Sequence, residues 1–569
     1  MNQPTPAIVS QDAVRRLPRW ALLLFCVVYI VPGFVGRSPW RNDDVTAFGY
    51  MAELAAGRSG WLHPTLAGLP PDTTGPLPYW LGAWALRIAP PWIPPDLAAR
   101  LPFMALLALT LAATWYSVYY LARRPEAQPV AFAFGGEALP ADYARAVADG
   151  GLLALIACLG LAQLSHEGTA YLAQLSCTTL MFFAFAATPY RTWMPAIALL
   201  AGQAGLALSG APTLAALFGM GGALLHALEP QQEPRARRRG LRWAAAIAAC
   251  TAAVAALGAA LGLWGWRIAM PDANGGMQWQ SLGRLLLWFT WPAWPLGLLT
   301  LWRWRRQVFS RELPRHLVLP LGFAAVTLAA TLLTLPRDRA LMQGLPALAA
   351  LAAFALPTLS RNLAALIDWF TLLFFTVCAI AIWVIWISME TGFPAKPAAN
   401  VARLAPDFTP TFSWPGFLAA LAATLVWCAL VWWRTGRHRA ALWKSLVLPA
   451  GGTALCWLLL MTIWLPLLDF ARSYAPQVRN VVAVTGQPAC VHTWGFDLGQ
   501  TAAFRYHGGL TLVPVQAGQA PSCPWLLVDG AALPTLAQAG DTQQWVQRAS
   551  VQRPTDRDDR VFVFQRRGP

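Results

Sequence analysis

The sequence predicts an α-helical polytopic membrane protein with a small C-terminal α/β domain, and three observations carry that prediction. Apolar residues make up 57% of the 569 residues and charged residues only 12%, with a mean hydropathy of +0.46, which is outside the soluble globular range. Apolar runs of bilayer-crossing length recur from residue 19 to residue 468. From about residue 469 the texture changes to short β-branched and aromatic runs separated by Gly, Pro and Asp. The 30 tryptophans, many flanking apolar runs as at Trp40, Trp193, Trp243, Trp302, Trp304 and Trp443, suit the interfacial belts of a bilayer.

About 20 apolar residues cross the hydrocarbon with every backbone group paired inside a helix. On that length rule, about thirteen spans are expected, near 19–36, 100–121, 149–164, 170–188, 193–209, 211–228, 241–264, 283–301, 317–335, 339–357, 364–388, 414–433 and 444–468. No small-residue cleavage site follows Pro32, Gly33 and Phe34, so the first run reads as a retained helix. Residues 77–93 are interrupted by Pro90, Pro91, Pro94 and Pro95, which suits a helix lying at the interface.

Charge parity supports this assignment. With the N-terminus in the cytoplasm, Arg123 and Arg124, the cluster Arg235, Arg237, Arg238, Arg239 and Arg242, the cluster Arg303, Arg305, Arg306, Arg311 and Arg315, and Arg434, Arg437, Arg439 and Lys444 all fall inside. The formal charge of +16 is therefore the positive-inside pattern, and no nucleic-acid partner is expected. The external face receives the loop 37–99, the turns 165–169, 209–212 and 336–339, the loops 265–282 and 389–413, and the tail. Residues 125–148 form a cytoplasmic insertion with a Pro/Gly turn and a short helix.

The chain thus divides into a transmembrane domain, 1–468, and an external α/β domain, 469–569. In the tail, VRNVVAVT, ACVHTWGF, AAFRYHGGLTLVPV, PWLLVDGA and RVFVFQRR have strand length and composition, and 534–548 reads as a helix. Seven of the nine cysteines fall in expected spans; Cys490 and Cys523 lie in the tail, where an oxidising compartment permits pairing without the sequence requiring it.

The stretch WRNDDVTAFGY, residues 40–50, sets Asp43 and Asp44 at the mouth of the first span in a chain with only 26 acidic residues. Ionisable groups at a membrane boundary are costly and point to function. An amphipathic and then turn-rich segment follows, ELAAGRSGWLHPTLAGLPPDTTGPLPYWL, the kind of long loop that builds a cavity on a helical bundle. A transporter is the rival class, with its site near the midplane on broken helices. Here the spans are nearly free of charge apart from Asp368, and no internal repeat is visible. A catalytically inactive scaffold with an external domain is the third reading. No Walker A motif, dinucleotide glycine fingerprint or His-Glu-x-x-His sequence is present.

Trp40, Asp43, Asp44, Glu53, Trp61, Pro64, Gly68 and PLPYWL at 76–81 together resemble the first external loop of GT-C membrane glycosyltransferases, which use polyprenyl-phosphate sugars. Among these the chain is most similar to lipid A aminoarabinose transferases and protein O-mannosyltransferases. Arg100-Leu101-Pro102, a Trp-Pro stretch at 291–295 and PRDRALMQGLPALAALAA at 336–353 extend the resemblance. It implies a GT-C fold in a bacterial inner membrane, with the tail in the periplasm. It also implies a polyprenyl-phosphate sugar donor and a lipid, glycolipid or protein acceptor, with no cofactor and no metal, in a monomer surrounded by membrane lipids.

Residue by residue, the resemblance puts Asp43 at the catalytic place as general base, with Asp44 as its neighbour. Arg337 and Arg339 are the candidates for meeting the lipid phosphate. Where the family has Glu-Lys-Pro-Pro, this chain has Thr73-Thr74-Gly75-Pro76, and Gln174 stands near the family's second acid. His166 and Glu167, on the neighbouring external turn, are the expected substitutes. Arg58, Trp61 and Tyr79 are expected to contact substrate from the loop.

Overall fold

The structure, a computed structural model, describes residues 5–230, 233–265, 279–310, 312–435, 441–515, 522–538 and 544–567. Most of the expected loop 265–282, with Arg311, Arg437 and Arg439 of the basic clusters, lies outside the described residues.

The chain is a multi-pass helical membrane protein. Seven helices are long and apolar enough to cross a bilayer, or eight when Trp279–Phe289 and Ala293–Arg303, bent by 83°, are taken as one span. Arg19–Ile30, Trp193–Leu208, Pro212–Leu228 and Leu345–Thr358 are shorter apolar helices. Helices occupy all the expected spans, but the count of about thirteen does not follow from their lengths. Sequence length overlooks breaks: the run 149–164 divides at Cys158, and 339–357 divides between Met342 and Leu345. The helix Leu77–Ile88 is not among the membrane-crossing candidates.

Pro140–Ala157, Ala170–Ala187, Leu345–Ala355 and Val447–Leu460 are buried almost all round, and their Ala and Gly content lets neighbouring backbones approach. Arg361–Thr391 and Trp414–Thr435 instead expose Leu366, Trp369, Val377, Leu425 and Val426, side chains suited to lipid. At the end of the bundle that carries the basic loops, the carboxylate of Glu229 joins Arg124 at 2.6 Å and Arg315 at 2.9 Å. The insertion is more ordered than its composition implied. Its helix starts at Pro140, and the preceding stretch pairs with the N-terminal segment, Val130 N–H donating to Ala7 O at 2.9 Å and Ala138 N–H to Val9 O at 3.0 Å.

The opposite end carries the first loop and the C-terminal domain. A five-stranded sheet is ordered β2-β1-β3-β5-β4, from β1 (Val491–Trp494), β2 (Leu512–Pro514), β3 (Trp525–Asp529), β4 (Trp545–Arg553) and β5 (Asp556–Arg566). β1 pairs in parallel with β2 and β3, while β5 runs antiparallel to β3 and β4. Cys490 and Cys523 are disulfide-bonded.

Three tail assignments change. VRNVVAVT is helical within Ala475–Thr485, because its buried residues Val478, Val481 and Thr485 recur at helical rather than strand spacing. AAFRYHGG lies in the helix Leu498–Gly508, started by a capping box between Asp497 and Gln500. Of the helix expected at 534–548, only Leu533–Gln538 is helical, and residues from Trp545 form β4. The domain docks by helix Leu498–Gly508 against Asp43–Ala55; a Cβ at Gly49 would stand 2.6 Å from Ala502 Cβ, so only glycine permits the approach. Arg505 reaches Glu53 at 3.2 Å and Arg41 reaches Asp556 at 2.9 Å across the same contact.

Candidate active site

A segment far along the chain, around Asp469 and Arg472, holds the start of the first loop. Asp469 accepts hydrogen bonds from Ser38 N–H (2.8 Å), Ser38 Oγ (2.9 Å) and Trp40 Nε1 (3.0 Å). The Trp40 ring is flanked by the guanidinium groups of Arg37 and Arg472, 4.6 and 5.1 Å from its centroid. Asn42 then adopts φ 70° and ψ −130°, a conformation that side-chain-bearing residues avoid, and the helix Asp43–Ala55 begins directly after it.

The two adjacent acids face different surroundings. Asp44 is buried, 3% exposed, and its oxygens are engaged by Arg37 Nη1 at 2.6 Å, Trp40 N–H at 3.0 Å and Gly168 N–H at 2.9 Å, with Arg100 at 3.7 Å. Burial works to raise its pKa, but Arg37, Arg100 and the hydrogen bonds outweigh it and hold the carboxyl down to about 2. The Asp43 side chain is 44% exposed and lies 3.3 Å from Arg339. Burial of its surroundings raises its pKa above the ordinary aspartate value against the pull of Arg339, with Asp338, Asp72 and Asp44 pushing the same way.

Arg339 bridges the two carboxylates the sequence singled out, because its other nitrogen lies 2.6 Å from Glu167, and its guanidinium sits 5.5 Å over the Tyr171 ring. Glu167 is buried, and burial raises its pKa more than Arg339 lowers it. Asp43 opens into a cavity of about 230 Å³ shared with Asp72, Tyr79, Thr169, Tyr171 and Asp497. Such a site supplies a partly accessible carboxylate beside a guanidinium, with hydroxyl groups around them.

Other expected residues lie elsewhere. His166 is fully buried against the rings of Tyr29, Phe34 and Trp457, its ring nitrogens facing Ala162 O and Tyr29 O; burial lowers its pKa to about 4. Gly33 makes room for that ring, since a Cβ there would stand 2.3 Å from it. Arg58 pairs with Glu53 at 2.8 Å, about 15 Å along the helix from Asp43 at 1.5 Å per residue. Trp61 stacks on Trp84 and lies under Arg87. Neither Arg337 nor Arg339 is among the cavity-lining residues, and the Arg337 Nε is buried without a hydrogen-bond partner.

Sequence reasoning did not single out Arg37, Asp72, Thr169, Tyr171, Asp469, Arg472 or Asp497. Arg472 forms no ion pair with a carboxylate among the described residues. The available signals were the two arginines of RSPWR at 37–41 and the Asp-Leu-Gly-Gln capping text at 497–500.

Two crystal structures of ArnT from Cupriavidus metallidurans, one in the apo state and one bound to undecaprenyl phosphate, are similar to this chain. Each aligns with a TM-score of 0.60 and 14% identity over 96% of this chain and 98% of the other. An Archaeoglobus fulgidus oligosaccharyltransferase in the apo form aligns with a TM-score of 0.38 and 12% identity over 87% of this chain and 64% of that one. No family model and no curated protein matches the chain. The likeness to ArnT is one of fold: the chain has the GT-C-like architecture that its first loop resembles.

Proposed function

We propose that the protein transfers a sugar from a polyprenyl-phosphate donor to a hydroxyl group of a lipid or glycolipid on the periplasmic face of a bacterial inner membrane. The observation that carries this reading is Asp43, open to a cavity and 3.3 Å from Arg339. A protein of the same fold holds undecaprenyl phosphate, which supports the donor class.

In this mechanism the acceptor oxygen attacks the anomeric carbon as its proton passes to Asp43. The bond from that carbon to the phosphate oxygen breaks, and polyprenyl phosphate leaves with the bonding electrons. Arg339 meets the phosphate charge, supported by Arg337 and Arg472, in place of the lysine absent at Thr74. Glu167 keeps Arg339 oriented at 2.6 Å.

Protein reconstituted in vesicles with labelled polyprenyl-phosphate sugars is expected to release polyprenyl phosphate and label the acceptor. Movement of intact donor across the bilayer without cleavage would instead identify a transporter. Arg339→Ala should lower kcat/KM about 10–100-fold, the worth of one charged hydrogen bond; an unchanged value would remove Arg339 from donor binding.

We infer about thirteen spans with the N-terminus in the cytoplasm and the C-terminal domain in the periplasm. Reporter fusions at Arg239 and Gln538 should then report opposite compartments, and the same compartment for both would refute this topology.

A further inference from the structure

The C-terminal domain forms part of the cavity itself. One side comes from the first loop, with Asp43, Asp72 and Tyr79; another comes from Thr169 and Tyr171; Asp497, Leu498 and Gly499 line it from the C-terminal domain. Three carboxylates, Asp43, Asp72 and Asp497, therefore line a space with no Arg or Lys among its lining residues. Asp72 is close enough to act electrostatically on both of the others. Ionised carboxylates accept hydrogen bonds and cannot donate them, so the cavity repels a phosphate and suits a ligand rich in O–H donors.

A second, independent feature points the same way. The Thr169 hydroxyl is buried without a hydrogen-bond partner, and Thr169 lines this cavity. Buried hydroxyls in native proteins are nearly always paired, so this one is a polar group beside the cavity that the protein alone leaves unsatisfied. At about 230 Å³ the space lies below the roughly 300–1,000 Å³ of sites for drug-sized ligands. A single sugar ring is the corresponding size of occupant. The charge then divides the donor: its phosphate stays at Arg339, on the rim by Asp43, while the sugar ring points away from it.

We propose that Asp497 is a specificity-determining residue that accepts a hydrogen bond from a hydroxyl of the transferred sugar, making the C-terminal domain one wall of the sugar subsite. This rests on the proposed glycosyl transfer and extends it to a residue far from the first-loop motif. Asp497 also caps the helix Leu498–Gly508, its Oδ1 accepting from Gln500 N–H at 2.6 Å. Asparagine caps helices about as well as aspartate but removes the charge, so Asp497→Asn separates the two roles.

Asp497→Asn is expected to raise the donor KM about 10–100-fold, the scale of a hydrogen bond to a charged group, with kcat and Tm unchanged. Donors lacking one sugar hydroxyl sharpen the test. Wild type should discriminate against the deoxy donor at one position by a similar factor, and Asp497→Asn should treat that donor and its parent alike. Wild-type KM in the variant, or undiminished discrimination at every hydroxyl, would overturn the proposal. Donor-induced rise in Tm supplies a readout without turnover: a smaller rise in Asp497→Asn supports the contact, and an equal rise overturns it. Should wild type bind donor but never release polyprenyl phosphate, glycosyl transfer fails while this comparison still decides the role of Asp497.

Discussion

Asp43→Asn is expected to abolish sugar transfer while leaving expression and Tm at wild-type levels. Loss of a positioned general base costs about 10²–10⁴-fold in rate, and asparagine keeps the shape and the helix start while being unable to take the proton. Stability should survive because the folded protein raises the Asp43 pKa, so the ionised group contributes nothing to folding at neutral pH that asparagine would forfeit. Arg339 also retains Glu167 at 2.6 Å after the change.

The pH dependence follows from the same shift. The base works only when ionised, so kcat/KM should rise with pH through a pKa above the ordinary aspartate value of 3.8. Removing the Arg339 charge, which pulls that pKa down, should move the acid limb further up in pH. Purified Asp43→Asn with wild-type turnover would end its assignment as base, and an unshifted acid limb in Arg339→Ala would separate the two groups.

The first-loop motif was legible because its residues are local. Trp40, Asp43 and Asp44 stand within one turn and a flank of each other, and the text alone marks them. What distinguishes the acids is not local: Asp44 is secured by Gly168, 124 residues on, and the loop start by Asp469, 431 residues from Ser38. Chain spacing carries no sign of such pairings, so neither the locking of Asp44 nor the cavity wall at Asp497 could be read in advance. The Arg339–Glu167 pair joins two residues that the sequence offers separately, whereas Arg58 pairs with Glu53 and His166 packs among Tyr29, Phe34 and Trp457, apart from Asp43. In the tail, composition announced an α/β domain, but β-branched content misassigned VRNVVAVT; its spacing was the better guide. Helix lengths do not return the span count for a related reason: run length measures apolar content, while Cys158 and the bend between Phe289 and Ala293 interrupt helices without interrupting hydropathy.

Asp44→Ala should have the opposite profile to Asp43→Asn, with loss of the folded protein preceding any loss of chemistry. Arg37 and Asp44 are 1% and 3% exposed and 2.6 Å apart, and deleting one partner of such a pair leaves the other charge buried and uncompensated. That costs about 3–5 kcal/mol, a large share of the roughly 5–15 kcal/mol of a typical folded protein. The Trp40 and Gly168 N–H groups lose their acceptor as well, loosening the joint between the first loop and the turn that carries Glu167. Asp44→Asn keeps an acceptor for one of those groups, so its Tm should fall less and its turnover per folded molecule should exceed that of Asp43→Asn. The folded pKa of about 2 lies below the ordinary 3.8, so the ionised carboxylate stabilises the fold above about pH 4, and this contribution is lost as pH falls toward 2. Wild-type Tm should therefore drop more steeply than that of Asp44→Asn between pH 5 and pH 2. Equal acid sensitivity, or a wild-type Tm in Asp44→Ala, would show that the Arg37–Asp44–Gly168 joint does not hold the loop, and that Asp43 is positioned by the Asp469 contacts instead.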